Sequence, residues 1–338
     1  MTTTETVMEL TREENGKLTV PEKLKKDFDW FKVILFLHLN VLSLLSLYLC
    51  TLAMIRTVLF LLVVSFVGLL GVTAGAHRLW AHRSYKASKG LRIFLMLCQT
   101  LAGQGSIYTW VLKHRIHHRY YGTNFDPYNH KRGFIYAHFL QFLEKPHQYQ
   151  DLLESEIDMS DMEEDEVVMF QHKYYYVFYA ILFILLPMNA PAEYWGEDVV
   201  LSIMIMGWLR QYIVLNLAWL VHSAVLIWGL QPNERYPCDT NMVFFVNKTF
   251  WIPYHYMAPW DYLTGEFGKY ATDFTSNFIR ACAAVGYASE LKTVDSDHIK
   301  EAIYKAAIGE KSLAQCLNDL EHLSIEKELY LKPCNVMM

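Results

Sequence analysis

No CxxC pair occurs anywhere in the chain, whose six cysteines, Cys50, Cys98, Cys238, Cys282, Cys316 and Cys334, are scattered. That spacing excludes a thiolate metal site of the usual kind and offers no disulfide framework. Strong net charge is missing as well. A formal charge of −5 over 338 residues gives no basic surface for nucleic acid, and the acidic run from Glu154 to Glu166 reads as a solvated face. There is neither an internal repeat nor a low-complexity segment. A cleavable signal peptide is not visible either. The first apolar run starts near Phe31 behind a long charged lead, so that run is expected to act as the insertion signal itself.

What is abundant is apolar sequence, with 53% of residues hydrophobic. It is concentrated in runs long enough to cross hydrocarbon, for which ~20 residues suffice. Four spans are expected, at about 31–54, 57–75, 172–190 and 199–230. The stretch Leu91 to Ala102 is apolar but short and is closed by Gly103, Gln104 and Gly105, which suits an interfacial or half-buried helix. Basic residues flank the first span (Lys23, Lys25, Lys26, Lys32) and crowd the loop after the second (Arg78, Arg83, Lys86, Lys89, Arg92, Lys113, Arg115, Arg119), whereas 189–198 has none. Both termini and the middle loop are therefore expected on the cytosolic side. Residues 1–30 form a cytosolic lead, 31–292 a membrane domain interleaved with cytosolic segments, and 293–338 a tail with helical spacing at Ile299, Ile303 and Ala306 and at Leu313, Leu317 and Leu320.

Two histidine clusters sit in the middle loop: His77-Arg-Leu-Trp-Ala-His82 and His114-Arg-Ile-His117-His118. On an α-helix the first pair would lie about a turn and a half apart. The second set falls at i, i+3 and i+4, on one helical face. A lone histidine would read as an interfacial residue, but five imidazoles presented by two helix ends can converge on a borderline metal such as iron or zinc.

These motifs carry a resemblance. The run from Gly71 to Tyr85, then Tyr108, Trp110, His114 to His118, Asp126-Pro127 and Arg132-Gly133-Phe134, is similar to the membrane-bound fatty acyl-CoA desaturases, the insect branch above all. The likeness returns at Trp219-Leu-Val221, at Pro259-Trp-Asp-Tyr262 and at Thr264-Gly-Glu-Phe-Gly268, and it covers roughly Asp29 to Lys292. The resemblance implies an all-α integral membrane fold of the endoplasmic reticulum, in which four transmembrane helices carry a cytosolic helical cap holding a histidine metal site. It also implies iron, two ions in the family, used with dioxygen to introduce a double bond into a fatty acyl-CoA, and a cytochrome b5-type electron donor. Breaking a methylene C–H bond needs redox chemistry that no side chain supplies.

The chain departs from that pattern in a grouped way. Aligned on Pro259-Trp-Asp-Tyr262, the third histidine box reads Ile252-Pro-Tyr-His255-Tyr256, and the motif after Trp219-Leu-Val221 reads His222-Ser-Ala-Val-Leu226. By resemblance, one iron would use His77, His82, His114, His118 and His255, all present. The other would use His117 together with the positions of Leu226, Ile252 and Tyr256, where the ligands are lost, and a water held at the position of His222. His222 is a candidate partial substitute. The expectation is one metal position kept and one lost. The acyl-CoA contacts deviate too: Gly105, Ser106, Thr109, Leu112 and Lys113 precede His114, and Leu140 to Pro146 replace a basic cluster.

Trp110, Asn216 and Trp219 are candidates for an acyl tunnel, with core packing the competing reading. Arg210, inside the fourth span, is expected to face the protein interior or an interface. His38, His130, His138, His147, His172, His298 and His322 have no partner pattern and are read as structural or surface residues. Two functions stand side by side: an acyl-CoA desaturase or a relative with altered chemistry, and a non-catalytic desaturase-like membrane protein, a pseudoenzyme acting as a binding or regulatory partner, with a homo- or hetero-dimer left open.

Overall fold

The computed structural model describes residues 18, 27–223, 255–256, 258–264, 273–294, 296–312, 315–316, 319–322 and 324. Four of its helices are long and apolar enough to cross a membrane: α1 (Trp30–Leu49), α2 (Ile55–Ala81), α5 (Glu166–Trp195) and α6 (Val199–Ser223). Between the second and third lie α3 (Lys89–Leu101) and α4 (Ile107–Arg119), and after the fourth come α7 (Phe274–Ala284) and α8 (Ser296–Ala307). The protein is thus an all-α membrane protein with a helical cap. The last span is described only to Ser223, and the expected continuation to 230 lies outside the described residues.

Helix starts follow from local chemistry. Asp29 accepts a hydrogen bond from the Lys32 N–H to begin α1, Ser88 from Leu91 to begin α3, and Ser106 from Thr109 to begin α4. Each side chain satisfies an N–H that the first helical turn leaves without an internal partner. Leu35, Leu37, Val41, Leu44 and Leu45 on α1 are exposed, as lipid-facing side chains must be, whereas α2 turns progressively inward. From Gly71 to Ala81 every residue is buried.

Helix α2 can be enclosed because α3 presses against it at Gly71, where a Cβ atom would fall 2.1 Å from the Gln99 nitrogen. No other residue fits that crossing. The same segment leaves the α-helical register: Gly71–Ala81 is a π-helix, which the spacing of its histidines did not announce.

Arg210, in the fourth span, is fully buried. Its Nε donates to the Met206 carbonyl at 2.7 Å, one terminal nitrogen to the Leu101 carbonyl at 3.2 Å, and the other to the Phe183 carbonyl, while the guanidinium lies 4.3 Å over the Phe183 ring. The charge is held by backbone dipoles in the protein interior. A second buried arginine, Arg78, ties the C-terminal segment to α2. It reaches Asp273 at 2.7 Å, the Tyr262 carbonyl at 2.8 Å and the Ser276 hydroxyl at 2.9 Å.

Candidate metal centre

The π-helical turn explains how the first histidine pair meets. The His82 N–H donates to the His77 carbonyl at 3.1 Å, an i to i+5 bond, and the extra residue per turn brings the two rings to 4.7 Å. An α-helix would have turned them apart. From α4, His114 faces the same point: its Nε2 lies 2.9 Å from His82 Nε2, and its ring stands 4.8 Å from His77. His255 closes the group, 4.9 Å from both His77 and His82.

One donor nitrogen from each of His77, His82, His114 and His255 can be chosen so that all lie within 4.8 Å of one another. An ion with bonds of ~2.1 Å separates opposite ligands by roughly 4.2 Å, so the four fit a single ion after small rotations. His118 stands beside them, with ring centres 4.6 Å from His82, 4.8 Å from His114 and 5.2 Å from His255. Removal from water, and then the positive charge that neighbouring imidazoles would carry, lowers the pKa of His82, His114 and His255 well below the ordinary histidine value. Neutral rings offer their lone pairs, which is the state a metal needs. A cleft of about 400 Å³, lined in part by His82, His118, Arg115 and Trp260, leads to this cluster.

His117 points elsewhere. One position before His118 on α4, it is rotated onto a different side of the helix, and both its nitrogens are engaged. Nδ1 faces Asp126 Oδ1 at 2.7 Å and Nε2 faces the Tyr256 hydroxyl at 3.0 Å. The tautomer that satisfies both has Nδ1–H donating to the carboxylate and Nε2 accepting from the phenol. Asp126 is fully buried and also accepts from the Tyr128 and Gly122 N–H groups at 2.8 and 3.1 Å. Burial alone would raise its pKa, but His117 beside it outweighs this and holds the carboxyl below its ordinary value. Tyr256 is buried and packs on Tyr121, with ring centres 4.2 Å apart.

His222 is 2% exposed and lies flat on Tyr128, 3.8 Å away with 5° between the rings. Neither of its ring nitrogens has a hydrogen-bond partner among the described residues, and it stands outside the four-histidine group. The sequence positions Leu226 and Ile252 lie outside the described residues. The three tunnel candidates separate. Trp110 stacks on His114 at 5.0 Å, at the metal cluster. Asn216 bonds His138 at 3.2 Å, and Trp219 stacks on Phe142 at 5.2 Å.

Two residues at the site were not assigned from the sequence. Asp126 stood in a quoted motif, Asp126-Pro127, but its role in orienting His117 emerges only from the fold. His130, read as structural or surface, is buried 5.4 Å from His117, and its Nε2 donates to the His222 carbonyl at 2.7 Å. Burial and the neighbouring His117 push its pKa down to about 4.

Curated proteins align with most of the chain. The chain is similar to an acyl-CoA Delta-9 desaturase of Acheta domesticus, 37% identical over 90% of this chain and 88% of the relative. It is also 37% identical to an acyl-CoA Delta-12 desaturase of Tribolium castaneum, over 83% of this chain and 80% of the relative. Human stearoyl-CoA desaturase is 36% identical over 84% of this chain and 80% of its own length. No protein-family model matches the chain.

Proposed function

The chain belongs to the membrane-bound fatty acyl-CoA desaturase family, and from that premise we propose that it keeps one metal position of such an enzyme, has lost the other, and works as a non-catalytic membrane protein, a binding or regulatory partner. The observation that carries this reading is the pair of hydrogen bonds on His117. The nitrogen a second metal would need, Nε2, accepts a hydrogen bond from the Tyr256 hydroxyl at 3.0 Å, while Asp126 fixes the opposite side of the ring. A neutral phenol stands where a further imidazole would have to be, and it makes the position a satisfied hydrogen-bond network.

At the retained position His77, His82, His114, His118 and His255 would hold iron. Bound there, iron supplies dioxygen binding and electron transfer, and neutral imidazoles suit it. Around it, Trp110 stacks on His114, with ring centres 5.0 Å apart. Oxidative removal of two hydrogens from an acyl chain draws on the second iron position as well, so desaturation is absent or altered.

The second reading is an active acyl-CoA desaturase using dioxygen, iron and a cytochrome b5-type donor. The intact five-histidine set and identity to enzymes of that description favour it. Under either reading the family resemblance points to the endoplasmic reticulum membrane, and the basic residues flanking the spans put both termini in the cytosol. Expression in a host lacking its own desaturase, with metal analysis of the purified chain, separates the two. About one iron per chain and no new double bonds are expected. Two irons per chain together with new unsaturated lipid would overturn the proposal.

A further inference from the structure

The cleft that leads to the histidine cluster has two walls of different origin. Arg83 at the end of α2, Arg115 and Arg119 on α4, and Glu156 and Asp158 beyond it line one wall, while Pro259, Trp260 and Glu321 line the other. The second wall is the more weakly held. Cys316 and Leu320 pack with Trp260, Val294, Ile299 and Ala302 in a small apolar cluster separate from the main core. A segment held by so few buried contacts opens locally before the rest of the fold does.

One ion pair latches that segment. Glu321 meets Lys292 at 3.0 Å, with the carboxylate side chain 37% exposed. Lys292 is itself fixed, its N–H donating to the Ser84 carbonyl at 2.9 Å. An ion pair this accessible contributes little, so a second cation within reach can take the carboxylate at nearly equal energy.

The facing wall carries three cations. Arg83 and Arg115 are both held by Asp161, at 2.7 and 2.8 Å. Arg119 is held loosely: its pairing with Glu156 is 3.6 Å long, and its Nε is buried with no hydrogen-bond partner among the described residues. A buried guanidinium N–H without an acceptor is costly. We infer that the segment carrying Leu320 and Glu321 is a lid on the metal cleft, which closes when Glu321 leaves Lys292 for Arg119 on the opposite lip. The structure shows the latched, open arrangement. In the closed one the carboxylate satisfies Arg119 and lies across the approach to His82 and His118, which line the same cleft. Two pairings of similar energy for one carboxylate make the bistable element that such a device needs.

The test reads access to the cleft in the full-length protein in nanodiscs. Ile157 also lines the cleft. Ile157→Cys places a thiol there, and its labelling by a water-soluble maleimide, followed by peptide mass spectrometry, reports the open fraction without any metal. In that background Lys292→Met should slow labelling roughly 2–5-fold by favouring closure, and Arg119→Met should speed it up to ~2-fold by preventing closure. Loss of iron to ferrozine should follow the same order. Leu320→Asp, whose charge is driven out of the apolar cluster, should hold the lid off. The cleft should then label as fast as in Arg119→Met, and Cys316, 3% exposed in the folded chain, at least ~10-fold faster than in the wild type.

Changes of the same sign in Lys292→Met and Arg119→Met would overturn the inference, because simple loosening accelerates both. Unchanged labelling in Lys292→Met would do the same. If Arg119→Met does not fold, Lys292→Met decides alone. The lid does not depend on the metal count: a chain without iron that keeps this labelling pattern would defeat the metal reading above and leave the lid standing.

Discussion

Helix α4 presents two faces built from one motif, and they have different fates. His114 and His118 lean toward α2, where His77, His82 and His255 turn their rings inward with centres 4.6 to 5.2 Å apart. His117, between them in sequence, faces Asp126 and Tyr256 and spends both nitrogens on hydrogen bonds. The first face collects lone pairs with no ammonium or acid among them; the second has become a satisfied polar network. The second metal position is thus lost by the provision of partners, since a buried imidazole already hydrogen-bonded at both nitrogens has nothing left for an ion.

The change that would break this contrast most completely rebuilds the second face. Converting Leu226, Ile252 and Tyr256 together to histidine should raise metal content from about one to about two per chain, measured by elemental analysis of the purified protein. If the wild type already carries two, the difference between the faces has no chemical meaning. Next in size, His255→Ala or His82→Ala should lower metal affinity by at least ~100-fold, at or beyond the upper end of what losing a mere supporting residue costs. His117→Ala should leave it within a few-fold. Equal losses on the two faces would show that one ion draws on both.

How much of this was legible beforehand follows the same division. The four spans and the convergence of two histidine clusters could be read from apolar runs and spacing, because both are local patterns. That His77 and His82 share one side of their helix could not. On α-helical geometry they diverge, and only the packing of Gly71 against α3, with the π-helical turn that follows, brings them together. The fate of His117 was half visible. Loss of histidine at position 256 could be read from the aligned motif, but that the incoming tyrosine would bond His117, with Asp126 supporting from behind, depends on a contact between residues 139 positions apart.

Acid should separate the faces again. His82, His114 and His255 have folded pKa values held below the ordinary ~6.5, so the fold favours their neutral forms. Above that value neither the folded nor the unfolded chain binds protons at these rings, and their contribution to stability is constant. As pH falls through ~6.5 the unfolded chain takes up protons that the folded site refuses, and stability drops by about 1.4 kcal/mol per pH unit for each ring until the folded values are reached. Metal retention should likewise be flat above about pH 7 and decline below ~6.5. Metal content and thermal unfolding recorded across pH 5 to 8 check both; loss of metal on raising the pH would contradict the neutral-imidazole account.

The smallest effect tests the second face by itself. Tyr256→Phe removes one hydroxyl and keeps the ring that packs on Tyr121 at 4.2 Å. His117 Nε2 then loses its only donor among the described residues, and a hydrogen bond of this kind contributes about 1 kcal/mol. Stability should fall by about that amount in denaturant titrations, with metal content unchanged, because the ring that meets His118 and His255, 5.4 and 5.7 Å away, is kept. A rise in metal content in this variant would mean that the phenol had been masking a usable nitrogen. The loss at the second face would then reside in a single hydroxyl group, and the neighbouring positions 226 and 252 would matter less than the triple restoration assumes.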